Sequence, residues 1–224
     1  GQHDANFVVH APELFSGSRL MDLASPDESY RKESVFETQR VINITRNLKR
    51  FFPNTKRPLI VANIGGFTMD EPLAESEKIG YYERFAKSLL DLDSAGVEII
   101  PQTMAPFPWH FGGQRYQNVF VKIDEIVEWC NKLNIRMCFD VSHSKLTCNH
   151  LRADFYMFCS KVAPYTAHLH LGDAKGLNGE GLQIGEGEID FERLSSILNS
   201  GCPEASFIPE IWQGHKNGGE GFWI

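Results

Sequence analysis

Short apolar runs bounded by turn residues recur along the chain, and stretches of helical periodicity lie between them. Six of the runs read as strands: residues 6–11, 58–63, 96–102, 135–141, 166–171 and 206–211. Five helices are expected between them. Ser25-Pro26-Asp27-Glu28 has the form of a capping box with proline at the first helical position. It predicts a long helix running towards Phe51, with Tyr30, Val41, Ile44 and Leu48 on one side. A second covers about residues 77–93, with Tyr82, Phe85, Ala86, Leu89 and Leu90 at helical spacing. A third covers about residues 118–133 (Ile123, Ile126, Val127, Cys130), and a fourth about residues 151–163. A fifth opens at Asp190 as N-cap and carries Leu194, Ile197 and Leu198.

Alternation of strand and helix predicts an α/β fold with a parallel sheet and helices outside. Right-handed crossovers place every strand C-terminus on one side. Six strands make either an open doubly wound sheet or an incomplete (β/α) barrel. The last strand is followed by Gln213-Gly-His215-Lys-Asn-Gly-Gly-Glu220-Gly-Phe-Trp-Ile, which reads as a loop leading into a helix that does not arrive. The expectation is one barrel domain over residues 1–224, cut at both ends.

Composition narrows the class. Length fits one domain with a sizeable core, and 42% hydrophobic with 23% charged residues is ordinary for a globular protein. A formal net charge of −7 argues against tight, sequence-independent nucleic-acid binding, which requires neutralised phosphates. Arg40, Arg46, Lys49, Arg50, Lys56 and Arg57 form a mild basic group, read as a solvated helix face. The five cysteines form no CxxC pair and read as reduced thiols of a cytoplasmic protein. No run reaches the roughly 18 apolar residues of a membrane span, and no signal peptide is visible.

The candidate chemistry lies at strand ends. The run through Phe139 delivers Asp140, with His143 in the turn that follows. The 166–171 run delivers His168 and His170, and Asp173 follows. The last run delivers Glu210. Asp140 and His170 are 30 positions apart, and His170 and Glu210 are 40, about one strand, one helix and two loops each. Carboxylate and imidazole together suit a hard divalent cation. The alternative for Asp140 is a structural cap of the next turn, with His143 solvated. His168 and His170 have the same parity and face one side, so one can bind a metal while the other supports it by hydrogen bonding. Glu210 inside an apolar run needs a partner, and Trp212 beside it offers an apolar wall. Lys175 suits an anionic or carbonyl oxygen and equally a plain surface. Gln102 and His10 end the third and first strands, where Gln102 offers a neutral oxygen. Trp109, His110 and Phe111, with Gly112 and Gly113, form an aromatic loop suited to stacking on a sugar or to packing between loops. Gly185-Glu186-Gly187 is too short to be a phosphate-binding signature, and no GxGxxG, P-loop, HExxH or GxSxG occurs.

Taken in order, these residues resemble the xylose-isomerase-like TIM-barrel superfamily, which includes sugar and sugar-phosphate isomerases and epimerases and the endonuclease IV family. His10-Ala-Pro is similar to the family's histidine on the third strand, and Asp140-Val-Ser-His143 to its D-x-x-H. His170-Leu-Gly-Asp173-Ala-Lys175 resembles H-x-N-D-x-K, Ile184-Gly-Glu186-Gly-Glu-Ile-Asp190 resembles the L/I-G-E-G-x-I-D segment, and Pro209-Glu210 the final glutamate. That register implies two missing leading strands.

Departures from the pattern refine what the resemblance implies. Gln102 stands where both branches place a metal-binding glutamate that, in the epimerases, is also one of two acid–base groups; Gln102 cannot take a proton. The endonuclease branch would have a histidine at Asn63 and Asp-x-His at Gly179-Glu180-Gly181. The resemblance therefore implies a mononuclear site of Asp140, His170, Glu210 and Gln102 for one divalent ion (Mn, Mg, Co or Zn). The implied activity is isomerisation or epimerisation of a sugar or sugar phosphate through an enediolate. Glu210 would move the proton with His143 or Lys175 assisting, and His10, Trp109, His168 and Trp212 would contact the carbohydrate. The alternatives are an endonuclease IV-like phosphodiester hydrolase, a non-catalytic relic, or one domain of a larger enzyme. A homodimer that covers the exposed barrel edge is one expected partner.

Overall fold

The structure, a computed structural model, describes residues 1–17, 19–110 and 113–222, so Phe111 and Gly112 of the aromatic loop, and Trp223 and Ile224, lie outside the described residues. The chain divides into two compact units, Gly1–Phe67 with Leu73–Gln102, and Thr68–Pro72 with Thr103–Ile224.

In the first unit, β1 (Val8–His10), β2 (Leu59–Ala62) and β3 (Glu98–Pro101) form a parallel sheet in that order. Helices α1 (Glu28–Lys49) and α2 (Glu75–Asp91) belong to the same unit. The cap of α1 is Asp27, whose carboxylate accepts from the backbone N–H of Ser29 and Tyr30 at 2.8 and 3.1 Å. The expected cap, Ser25, instead accepts from Asp27 N at 3.2 Å and shapes the approach to it.

The buried face of α1 also differs from expectation. It carries Arg31, Ser34, Thr38, Val41, Ile42 and Thr45, whereas Ile44 and Leu48 are exposed. Hydroxyls are tolerated there because Thr38 and Thr45 donate to the carbonyls of Ser34 and Val41, at 2.7 and 2.8 Å. Arg31 is fully buried and donates to Glu28, Ser88 and Asp91, which joins α1 to α2. In α2, Tyr82 and Phe85 are buried as the spacing predicts, but Leu90 faces solvent.

The second unit contains β4 (Met137–Asp140), β5 (Thr166–Leu171), a hairpin of β6 (Asp173–Lys175) and β7 (Gly179–Leu182), and β8 (Ser206–Pro209). The parallel order is β4-β5-β8, with Asp140 paired to His170 and His170 to Ile208. Its helices are α3 (Ile123–Leu133), α4 (Val141–Leu151), α5 (Phe155–Val162) and α6 (Phe191–Gly201). Asp190 caps α6 as expected, accepting from Arg193 N at 3.0 Å.

The helix expected over 151–163 forms over Phe155–Val162, and an unexpected helix precedes it. The unexpected one, α4, starts directly after Asp140 and ends at Arg152, which adopts a left-handed conformation. The expected one, α5, is capped by Asp154, which accepts from Tyr156 N and Met157 N. The third helix starts at Ile123, five residues later than expected, because Val119, Phe120 and Val121 are buried in an irregular segment with Phe120 at φ 56°. The C-terminal tail holds a four-residue turn, Lys216–Gly219, that is not a regular helix because Asn217 and Gly218 lie at positive φ.

The core of this unit includes Met137, Phe139, Val141, Phe158, Val162, Leu169 and Leu194. All five cysteines are free, four of them buried. Strand β8 is an edge, and its Phe207 and Ile208 are exposed. Among the described residues, the parallel strands pair as two three-stranded sheets, with no closed ring, and no helix is long and apolar enough to cross a membrane.

Candidate metal centre

All four residues of β4 are buried, so Asp140 ends the strand as a carboxylate that must be satisfied locally. The Thr103 hydroxyl accepts from Asp140 N at 2.9 Å and donates to Asp140 O at 3.2 Å. The Asp140 side chain caps α4, accepting from His143 N at 2.8 Å. The two sequence alternatives for Asp140, cap or ligand, are thus compatible: one oxygen caps the helix and the other reaches the imidazoles. His143 lies in the first helical turn, not in a loop. Its Nδ1 is 3.0 Å from Thr103 O and 3.4 Å from Asp140 Oδ2, and its Nε2 is 3.0 Å from Glu180 Oε1.

The parallel register sets His170 beside Asp140, with Nδ1 3.5 Å from Asp140 Oδ2 and 2.6 Å from Glu210 Oε2. Glu210 N donates to Leu171 O at 2.8 Å, which carries the pairing of β5 and β8 one residue further. Ligand atoms of Asp140, His170 and Glu210 all lie within 4.8 Å of one another. Asp140 and His170 are buried, whereas the Glu210 side chain is 51% exposed. Cys138, of the same parity as Asp140 on β4, places its thiol in hydrogen-bonding contact with His170.

The electrostatics describe a site with surplus negative charge. Burial alone would push the imidazoles down, but the facing acceptors win. His170 is pushed up to about 12 by Asp140, Cys138 and Glu210, and His143 to about 10 by Asp140, Glu180 and Thr103 O. The Asp140 carboxyl is held below its usual range: burial raises it, and the two imidazoles outweigh burial. A proton on His170 therefore acts as counter-ion to two converging carboxylates. A divalent cation answers the same need, and an O, N, O donor set suits Mn²⁺, Mg²⁺, Co²⁺ or Zn²⁺.

The other predicted residues take different places. His168 is buried, its Nδ1 2.7 Å from Ser206 Oγ, and it links β5 to β8 with its ring 5.3 Å from that of His170. Asp173 is not a ligand. One of its oxygens accepts from Ala174 N and Ile189 N at 2.8 and 3.1 Å, and the other from Gly185 N and Gly187 N at 3.0 and 2.8 Å. The Gly-Glu-Gly segment is therefore a loop wrapped around a buried aspartate, and a Cβ at Gly187 would collide with that carboxylate. Lys175 is exposed on β6. Trp109 is 68% exposed in a short hairpin, and Trp212 is 77% exposed. In the first unit, Gln102 is buried and its side-chain oxygen lies 3.0 Å from His10 Nε2, while His10 Nδ1 is 2.8 Å from Ala11 O.

Sequence reasoning missed Glu180 as a member of the site. The available signal was its position between two glycines in a hairpin. Gly181, at φ +61°, brings the hairpin backbone against Glu210 and Trp212, where a Cβ would meet Glu210 O at 3.3 Å. Trp212 N donates to Gly181 O at 2.6 Å, and Gly181 N donates to Ser142 Oγ at 3.0 Å.

A family model described as a xylose isomerase-like TIM barrel matches residues 1–222. No curated protein matches the sequence. Among solved structures, a D-tagatose 3-epimerase-like protein is similar with TM-score 0.65 and 22% identity, over 91% of this chain and 70% of its own. An L-ribulose 3-epimerase is similar with TM-score 0.63 and 17% identity, over 86% of this chain and 59% of its own. A xylose isomerase domain protein from Planctomyces limnophilus is similar with TM-score 0.62 and 16% identity, over 91% and 69%. The chain thus spans 59–70% of these proteins, less than two thirds in the case of the L-ribulose 3-epimerase. At these identities the likeness is one of fold, α/β of the TIM-barrel type.

Proposed function

We propose a function from one premise: this chain belongs to the xylose isomerase-like TIM-barrel family. The reading is an isomerase or epimerase of a sugar or sugar phosphate, working with one divalent cation through an enediolate. The observation that carries it is the convergence of Asp140, His170 and Glu210 at the C-terminal ends of neighbouring parallel strands, where barrels of this type place their chemistry. Structural neighbours named as 3-epimerases of ketoses support the substrate class.

Asp140, His170 and Glu210 would hold the cation. When bound, it supplies Lewis-acid stabilisation for negative charge on adjacent hydroxyl and carbonyl oxygens of the substrate. Glu210, half open to solvent, takes the proton from the carbon beside the carbonyl. His143, whose two ring nitrogens face Thr103 O and Glu180, assists through its charge rather than by direct donation, and Lys175 assists from β6. Trp109 and Trp212 offer exposed aromatic faces to a sugar ring.

The test is deuterium incorporation beside the carbonyl in deuterated water with added Mn²⁺, across a panel of ketoses and their phosphates. Exchange in at least one sugar is expected. A panel with no exchange, by a protein that binds Mn²⁺, sinks the reading.

A further inference from the structure

Five side chains of the second unit form a continuous chain. Glu180 Oε1 is 3.0 Å from His143 Nε2, and His143 Nδ1 is 3.4 Å from Asp140 Oδ2. Asp140 Oδ2 is 3.5 Å from His170 Nδ1, and that nitrogen is 2.6 Å from Glu210 Oε2. Burial follows the same order. The central Asp140, His143 and His170 side chains are 3%, 11% and 1% exposed, and the terminal Glu180 and Glu210 are 46% and 51% exposed. The site therefore offers solutes two half-open carboxylates on a buried base. They come from different segments, the β6–β7 hairpin and the end of β8, and are near enough for the Glu210 charge to act on Glu180.

Inverting a carbon beside a carbonyl makes a demand that one carboxylate cannot meet. The proton leaves from one face, its bonding pair becomes the enediolate double bond, and a proton must arrive on the opposite face to reclaim that pair. Two proton carriers are needed, one entering as carboxylate and the other as carboxylic acid. Their states exchange in each turnover, and no oxidant or reductant is consumed. Gln102 cannot be one of them.

We propose that Glu180 is the second proton carrier of this site, acting opposite Glu210. The assignment rests on the sugar-epimerase reading above and adds a catalytic residue to it. The neighbouring glycines fit this role. A Cβ at Gly179 would meet Lys175 O at 2.7 Å, and one at Gly181 would meet Glu210 O and Trp212 N at 3.3 Å, so both clear the backbone for a close hairpin that presents Glu180. His143 fixes one Glu180 oxygen and leaves the other for substrate.

The experiment uses Glu180→Gln, which keeps an oxygen for His143 and cannot carry a proton. The probes are C3-epimeric ketose pairs, starting with D-fructose and D-allulose, taken until the wild type interconverts one, in deuterated water with Mn²⁺. The expected variant binds Mn²⁺ like wild type and interconverts the pair at least about 100-fold more slowly. From one epimer it still exchanges deuterium at C3 without inversion; from the other, exchange is lost. Interconversion at the wild-type rate overturns the assignment. So does loss of exchange from both epimers, or weakened Mn²⁺ binding, which makes Glu180 a structural support. No exchange by the wild type on any pair overturns the epimerase reading itself, and this assignment with it.

Discussion

Asp140 and His170 are register partners on adjacent parallel strands, with Oδ2 3.5 Å from Nδ1. Paired residues in a parallel ladder point to the same face, so this register alone sets a carboxylate beside an imidazole at the strand ends. Glu210 joins them because β8 continues its pairing past Pro209, through Glu210 N and Leu171 O.

The cluster predicts metal affinity. Removing a residue that merely orients a ligand typically costs 10–100-fold, so removing a ligand should cost at least about 100-fold. His170→Ala and Asp140→Asn should each weaken Mn²⁺ binding by that factor in titration calorimetry, with far-ultraviolet circular dichroism unchanged. Wild-type affinity in both variants would show that the cation is held elsewhere.

Asp173 holds four backbone N–H groups and is 1% exposed. Hydrogen bonds to a charged acceptor are worth about 1.5–3 kcal/mol each, and donors left buried and unpaired add to the loss. Asp173→Ala should destabilise the protein by about 3–5 kcal/mol in urea unfolding and speed amide exchange at Gly185, Gly187 and Ile189. A loss under about 1 kcal/mol would mean that water replaces the carboxylate without penalty.

Asp22, in the first unit, predicts a pH dependence of its own. Burial pushes its carboxyl up to about 7, against the N–H groups of Gly66 and Ala24 and the charge of Arg84. Gly65, at φ +83°, lets the chain pass Asp22, and a Cβ there would overlap it. The unfolded carboxyl titrates near 3.9, so the folded state binds the proton more tightly. This contribution is full below about pH 4 and lost as pH rises through about 7, by up to roughly 4 kcal/mol. Asp22→Asn should therefore flatten the fall in urea midpoint between pH 5 and 8. A wild-type slope retained in the variant would assign the dependence to other groups.

Arg31, fully buried, answers to Glu28, Ser88 and Asp91. Deleting one partner of such a set strands the others, at a cost of about 3–5 kcal/mol in buried cases. The acids here are partly exposed (45% and 43%), which favours the lower end. Arg31→Ala should cost about 3 kcal/mol in thermal or urea unfolding, and unchanged stability would show that water takes over its role.

Strands were legible because their signal is local. The 166–171 run forms β5 over its full predicted span, and Asp190 caps α6 as its position predicts. Helix starts were less legible where one side chain had two uses. Asp140 was read as a cap or a ligand, and its capping of α4 moves His143 into a helical turn. The buried face of α1 was misread because threonine hydroxyls that bond to their own helix can stand in a core. The role of Asp173 was not legible, because only folding brings together the four N–H groups from which it accepts.

The sequence by itself determined that strands alternate with helices and end in carboxylates and imidazoles, since period and polarity act over a few neighbouring residues. Only the tertiary structure decided which of those groups meet. Register aligns Asp140 with His170 across 30 positions, and a glycine-flanked hairpin carries Glu180 to His143. Such contacts depend on backbone pairing and close approach through space, and no local pattern encodes them.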